Sequence, residues 1–102
     1  MNHKPLYYES HITIEPVYGP ELVKFEYLAK AQGYRVARLL LQKDRDSTPE
    51  RSDKDSFCTG RDKDYDSLHY RMMSLVANLQ ETGFKVWRHK IESVIFDEKV
   101  KG

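Results

Sequence analysis

A histidine and a threonine two residues apart, His11 and Thr13, sit inside an alternating stretch running from Tyr7 to Val17. In an extended strand residues i and i+2 share a face, so this imidazole and hydroxyl point the same way. The imidazole can take or give a proton near neutral pH, and the hydroxyl can orient an oxyanion. Near the other end of the chain Arg88 and Lys90 repeat the same spacing. A guanidinium fork and an ammonium suit the holding of phosphate or carboxylate. A third segment, Thr59-Gly60-Arg61, reads as a strand end and a turn just ahead of a helix. Backbone N–H groups and the helix dipole can hold an anion at such a place. Brought together, these pieces would bind a phosphate-bearing ligand. Arg88 and Lys90 would grip it, His11 would move a proton, Thr13 would orient it, and Arg38 would add a cation from another strand.

The elements that must position these residues follow from the apolar periods. Tyr8, Ser10, Ile12 and Ile14 fall on one face of the first segment, with Glu9, His11, Thr13 and Glu15 on the other, which predicts a half-buried strand. Pro20 and Glu21 open a helix with the stripe Leu22, Phe25, Leu28 and Ala29, closed by Gly33. Tyr34 to Gln42 reads as a second strand, with Val36, Arg38 and Leu40 on one of its faces. Residues 43–55 are densely charged and lack any large apolar side chain, which predicts a mobile loop. Ser56 to Thr59 is a short third strand, and Gly60 to Lys63 a turn. Asp64 then caps a helix carrying Leu68, Met72, Leu75, Val76 and Leu79, which ends at Gly83. Phe84 to about Phe96 makes the last strand, and Asp97 to Gly102 a polar tail.

This β-α-β-β-α-β order over a single domain, residues 1–102, predicts an α+β ferredoxin-like sandwich. Its antiparallel sheet would run 4-1-3-2, with both helices on one face and the other face open. Ile12 and Ile14 must meet the helices, which turns His11 and Thr13 outward. On strand four, Trp87 and Ile91 are expected against the helices with His89 between them. Val86, Arg88, Lys90 and Glu92 then face outward, because alternating charges are cheaper in water than buried. Cys58 faces the core if Phe57 and Thr59 face out; the reverse parity would expose it.

Composition narrows the function classes. Seventeen Lys+Arg against sixteen Asp+Glu give a net charge of +1, which removes the global basic field of a non-specific DNA or RNA binder. Aromatic base readout on the central strands is also a poor fit, since strand one offers His11 and strand three at most Phe57. The single cysteine, Cys58, excludes an internal disulfide and a cysteine-based zinc site. His11 with Glu9 or Glu15 supplies no third convergent ligand, so neither a metal nor another cofactor is expected. The longest apolar run, Val36 to Leu41, is short and broken by Arg38, so no membrane span is expected. Met1 to Pro5 carries none of the apolar character of a secretory leader, and a cytoplasmic location is expected.

The string His11-Ile12-Thr13-Ile14 resembles the His-x-Thr/Ser-φ motif of the 2H phosphoesterase superfamily over four residues. The resemblance implies that His11 and Thr13 present imidazole and hydroxyl to one phosphate, with phosphoester hydrolysis as the activity. Those enzymes use two such motifs, and a homodimer would bring two copies of His11 together. The whole chain also resembles small ferredoxin-like proteins, which implies a fold and no particular activity. Two functions are therefore expected in competition. One is binding of a small phosphorylated ligand, above all a nucleotide, with hydrolysis as its extension. The other is a non-catalytic interaction module that dimerises or assembles through the open sheet face or the edge strand, where Val36 and Leu40 would be exposed.

Overall fold

The computed structural model of the chain describes residues 5–36 and 56–95. Its elements are β1 (Tyr7–Ile14), α1 (Pro20–Ala31), β2 (Arg35–Val36), β3 (Ser56–Asp62), α2 (Tyr65–Thr82) and β4 (Val86–Val94). The expectations for residues 37–55, including Arg38, Leu40 and the charged loop, lie outside the described residues, as do those for 96–102.

Local chemistry sets the helix ends. Pro20 begins α1, where its missing N–H is not needed, and the Gly19 carbonyl accepts from the N–H groups of Leu22 and Val23 at 3.1 and 3.2 Å. The Asp64 carboxylate caps α2 by accepting from the Ser67 N–H at 2.9 Å. Gly83 closes that helix in the left-handed region, φ 103°, and lets the Phe84 N–H reach back to the Leu79 carbonyl at 2.9 Å.

The sheet is antiparallel and four-stranded, in the order β2-β3-β1-β4, which reads β4-β1-β3-β2 from the other edge. Leu22, Phe25 and Ala29 of α1 and Leu68, Met72, Leu75, Val76 and Leu79 of α2 share one buried cluster with Ile12, Ile14, Val36 and Cys58 of the sheet. Both helices therefore cover the same sheet face. Each fully buried Leu, Ile or Phe in that layer contributes about 1.5–3 kcal/mol over its exposed state. Among the described residues no helix is long and apolar enough to cross a membrane.

Val36, expected exposed on the open side of the edge strand, is instead in the buried cluster, and Arg35 beside it is the exposed residue. Two further local expectations are corrected. The first concerns Gly60, which does not make a turn: β3 runs on to Asp62, and Gly60 lies inside it opposite Ser10. The glycine is there because of Tyr34. A β-carbon on Gly60 would sit 2.7–2.9 Å from three carbons of the buried Tyr34 ring. That ring turns its hydroxyl to the Ser10 Oγ, donating at 2.6 Å. The second concerns the start of β4. Thr13 faces Arg88 but Ile14 faces Val86, so Trp87 is the extra residue of a bulge. The shift turns Val86 inward, packed against the core, where outward was expected. Trp87, expected in the core, is 55% exposed, and His89 is exposed as well. Ile91 does pack against the core.

Candidate functional site

Directly opposed residues in a sheet share a face, so the register lays out the uncovered side as rows, three of them lying beyond the terminal Tyr7–Val94 pair. Arg61, Glu9 and Glu92 form the first row. Arg35, Thr59, His11 and Lys90 cross all four strands as the second. Phe57, Thr13 and Arg88 make the third. Alternation along β3 then sends Ser56, Cys58 and Gly60 to the covered side, and all three are buried. Burial pushes the Cys58 thiol up to about 12, so it is packing and not a nucleophile.

The first two rows hold a chain of polar contacts. The Arg61 Nε donates to the Glu9 Oε2 at 2.9 Å, while its guanidinium lies 5.3 Å from the centre of the Tyr7 ring. The other Glu9 oxygen, Oε1, lies 3.0 Å from the His11 Nε2, and the Thr59 Oγ1 lies 3.3 Å from the His11 Nδ1. A carboxylate can only accept, so the His11 Nε2 carries the proton in the neutral ring and Nδ1 holds the lone pair. Glu9 thereby sets both the tautomer and the orientation of the imidazole. Thr59, and not Thr13, is the hydroxyl within hydrogen-bond reach of it.

The other end of the face is open and cationic. His11, Thr13, Phe57, Arg88 and Lys90 line a depression of about 190 Å³. Lys90 pairs with Glu92. That contact, followed by the weaker fields of His11 and Arg88, holds the Glu92 carboxyl below its usual range. Arg88 forms no ion pair among the described residues. A guanidinium fork in this depression is therefore available to an anion, whereas that of Arg61 is already engaged.

Of the residues singled out from sequence, the structure thus gathers His11, Thr13, Arg88 and Lys90 around one depression. Thr59 stands on the far side of His11, Arg61 is tied to Glu9, and Arg38 lies outside the described residues. The anion-holding turn expected at Thr59-Gly60-Arg61 does not exist, since the segment is strand and Gly60 is turned to the core. The anchoring role of Glu9, the wall formed by Phe57 and the place of Arg35 in the second row were not anticipated. The inward parity of Cys58 was the available signal for Phe57, Thr59 and Arg61. Period-two alternation put Glu9 beside His11 on one face of β1 but did not mark the hydrogen bond between them. No second histidine joins His11 among the described residues: His69 stacks on Tyr65, and His89 falls opposite Ile12, on the other side of the sheet. Among them no group of three or more His, Cys, Asp or Glu side chains could hold a metal ion. No protein-family model, curated protein or solved structure matches the chain.

Proposed function

We propose that this chain is a ferredoxin-like sandwich that binds a phosphate-bearing ligand, a nucleotide, on its open sheet face. One observation carries the reading: Arg88, whose guanidinium forms no ion pair among the described residues, shares a depression with Lys90, His11, Thr13 and the ring of Phe57. Arg88 and Lys90 supply charge-assisted donors to phosphate oxygens, and the Thr13 hydroxyl supplies a neutral one. Phe57, 38% exposed, offers an apolar surface on which a base can stack beside the phosphate. The depression is open, so the phosphate and base seat there while the rest of the ligand stays in solvent.

Phosphoester hydrolysis is the catalytic extension of this reading. Glu9 holds the His11 Nε2, which leaves the Nδ1 lone pair as the base. With the Nδ1 lone pair turned from Thr59 to a water in the depression, that water would give up its proton to Nδ1 while its oxygen bonds to phosphorus. The ester P–O bond then breaks with its electron pair going to the leaving oxygen, which takes a proton from solvent.

The test is calorimetric titration of nucleoside mono-, di- and triphosphates, with inorganic phosphate as the minimal probe. Arg88→Ala is expected to weaken binding by about 1–3 kcal/mol, roughly fivefold to 150-fold, as for a lost charge-assisted bond. Its melting temperature should stay near that of the unaltered chain, since Arg88 is exposed and forms no ion pair among the described residues. His11→Ala should keep most of the affinity and lose any phosphate release. No binding by the unaltered chain, or equal affinity in the Arg88 variant, would refute the proposal.

A further inference from the structure

Among the described residues β4 has a neighbouring strand on one side only. The Glu15 N–H donates to the Lys85 carbonyl at 2.9 Å, which sets the alternation of the β1–β4 ladder. Thr13, His11 and Glu9 then turn their backbone groups to Arg88, Lys90 and Glu92, and these reciprocate. The N–H and C=O groups of His89, Ile91 and Ser93 consequently point away from the sheet. Val86–Val94 contains no proline to block an added strand. Large apolar side chains stand at both ends of this edge, with Trp87 55% and Ile95 48% exposed. Ile91 lies midway between them.

We infer that β4 pairs antiparallel with β4 of a second copy of this chain, about a two-fold axis at Ile91, joining the two sheets into one. The charges select this register. With the axis at Ile91, Lys90 of each copy faces Glu92 of the other, twice over. Trp87 then falls opposite Ile95, Arg88 opposite Val94, and His89 opposite Ser93. An axis at Lys90 would pair Arg88 with Glu92 twice but set Lys90 against itself between them, and one at His89 would set Arg88 against Lys90 twice. Like charges directly opposed destabilise a ladder, and opposite charges support it. The register that satisfies the charges is also the one that covers the two exposed apolar side chains. A second copy is the occupant because one edge supplies both halves of the match, as an isologous contact requires.

The contact runs edge to edge, so it leaves the depression on the open face uncovered, with Lys90 the one residue that borders both. It also differs from the dimer edge read from sequence, which lay at strand two. Sedimentation equilibrium tests it. The unaltered 12.1 kDa chain is expected to sediment with the mass of two copies. Glu92→Lys, at an exposed position, opposes lysine to lysine twice and should raise the dimer dissociation constant about tenfold or more. Combining it with Lys90→Glu reverses both charges, restores the match and should restore the dimer. Circular dichroism of each variant confirms that the fold persists. A chain that stays monomeric at every concentration overturns the inference. A dimer indifferent to Glu92→Lys, or one the double reversal fails to restore, overturns it too.

Discussion

Gly60→Ala is a small change whose outcome depends on where the residue sits. Its φ lies outside the positive range, so alanine meets no backbone strain there. With open space around it, alanine would stabilise by about 0.4–1 kcal/mol through a stiffer unfolded chain. The structure predicts the opposite sign. The new methyl would lie 2.7 Å from the Tyr34 Cε1 and within 2.9 Å of two further ring carbons. Ordinary carbon contacts are about 3.5–4.0 Å, so the ring must retreat by about 1 Å. It has nowhere to go without disturbance, being 1% exposed and anchored by its 2.6 Å bond to Ser10. Overpacking of this kind costs about 1–3 kcal/mol. Leaving the buried Tyr34 and Ser10 hydroxyls unpaired adds about 1–3 kcal/mol. With the entropic gain subtracted, a loss of about 1–5 kcal/mol is expected. Urea unfolding followed by circular dichroism measures it, and at this chain length the melting temperature should fall by about 4–8 °C per kcal/mol. Tyr34→Leu made alone and in combination completes the cycle: the double variant should lose clearly less than the sum, because the shorter side chain vacates the contact. A stabilised or neutral Gly60→Ala, or strictly additive losses, would refute the placement of Tyr34 over Gly60 and with it the parity of β3.

Arg71 joins three elements, donating to the carbonyls of Gln32 at 2.9 Å and Arg61 at 2.7 Å and to the Asp62 carboxylate at 3.1 Å; Arg71→Ala should therefore cost about 1–3 kcal/mol in urea unfolding, with Arg71→Lys recovering only part because an ammonium cannot span the fork. The Cys58 thiol, raised from 9.0 to about 12 by burial, favours the folded state while it is protonated in both states, so stability should be flat below pH 9 and fall as pH rises through 12. Tyr34, raised above 10.0 mainly by burial, adds to the same alkaline fall. Equilibrium unfolding across that range should show a shallower fall in Cys58→Ala, and a native thiol open to alkylating reagents would contradict the burial.

Much of the local structure was legible in the residues themselves. The period-two alternation of Tyr8 to Ile14, the stripes Leu22–Phe25–Ala29 and Leu68–Met72–Leu75–Leu79, Pro20 at a helix start and Asp64 as a cap are each decided within a few neighbouring residues. Outward parity for His11, Thr13, Arg88 and Lys90 also follows locally, since Ile12 and Ile14 need the core and ions need water. What the sequence could not contain is pairing across strands. Whether Gly60 turns the chain or gives room to a ring depends on Tyr34, 26 positions earlier. The bulge at Trp87 likewise reflects the fit of Val86 against Ile14 on another strand, and the reading that put Trp87 in the core lacked that register. The site shows the same division. Sequence named a histidine, a hydroxyl and two cations, with Glu9 on the same face of the same strand, but which hydroxyl meets the imidazole was decided by the β1–β3 alignment. Side-chain type and face are properties of one strand, whereas a binding site is a property of three strands in register.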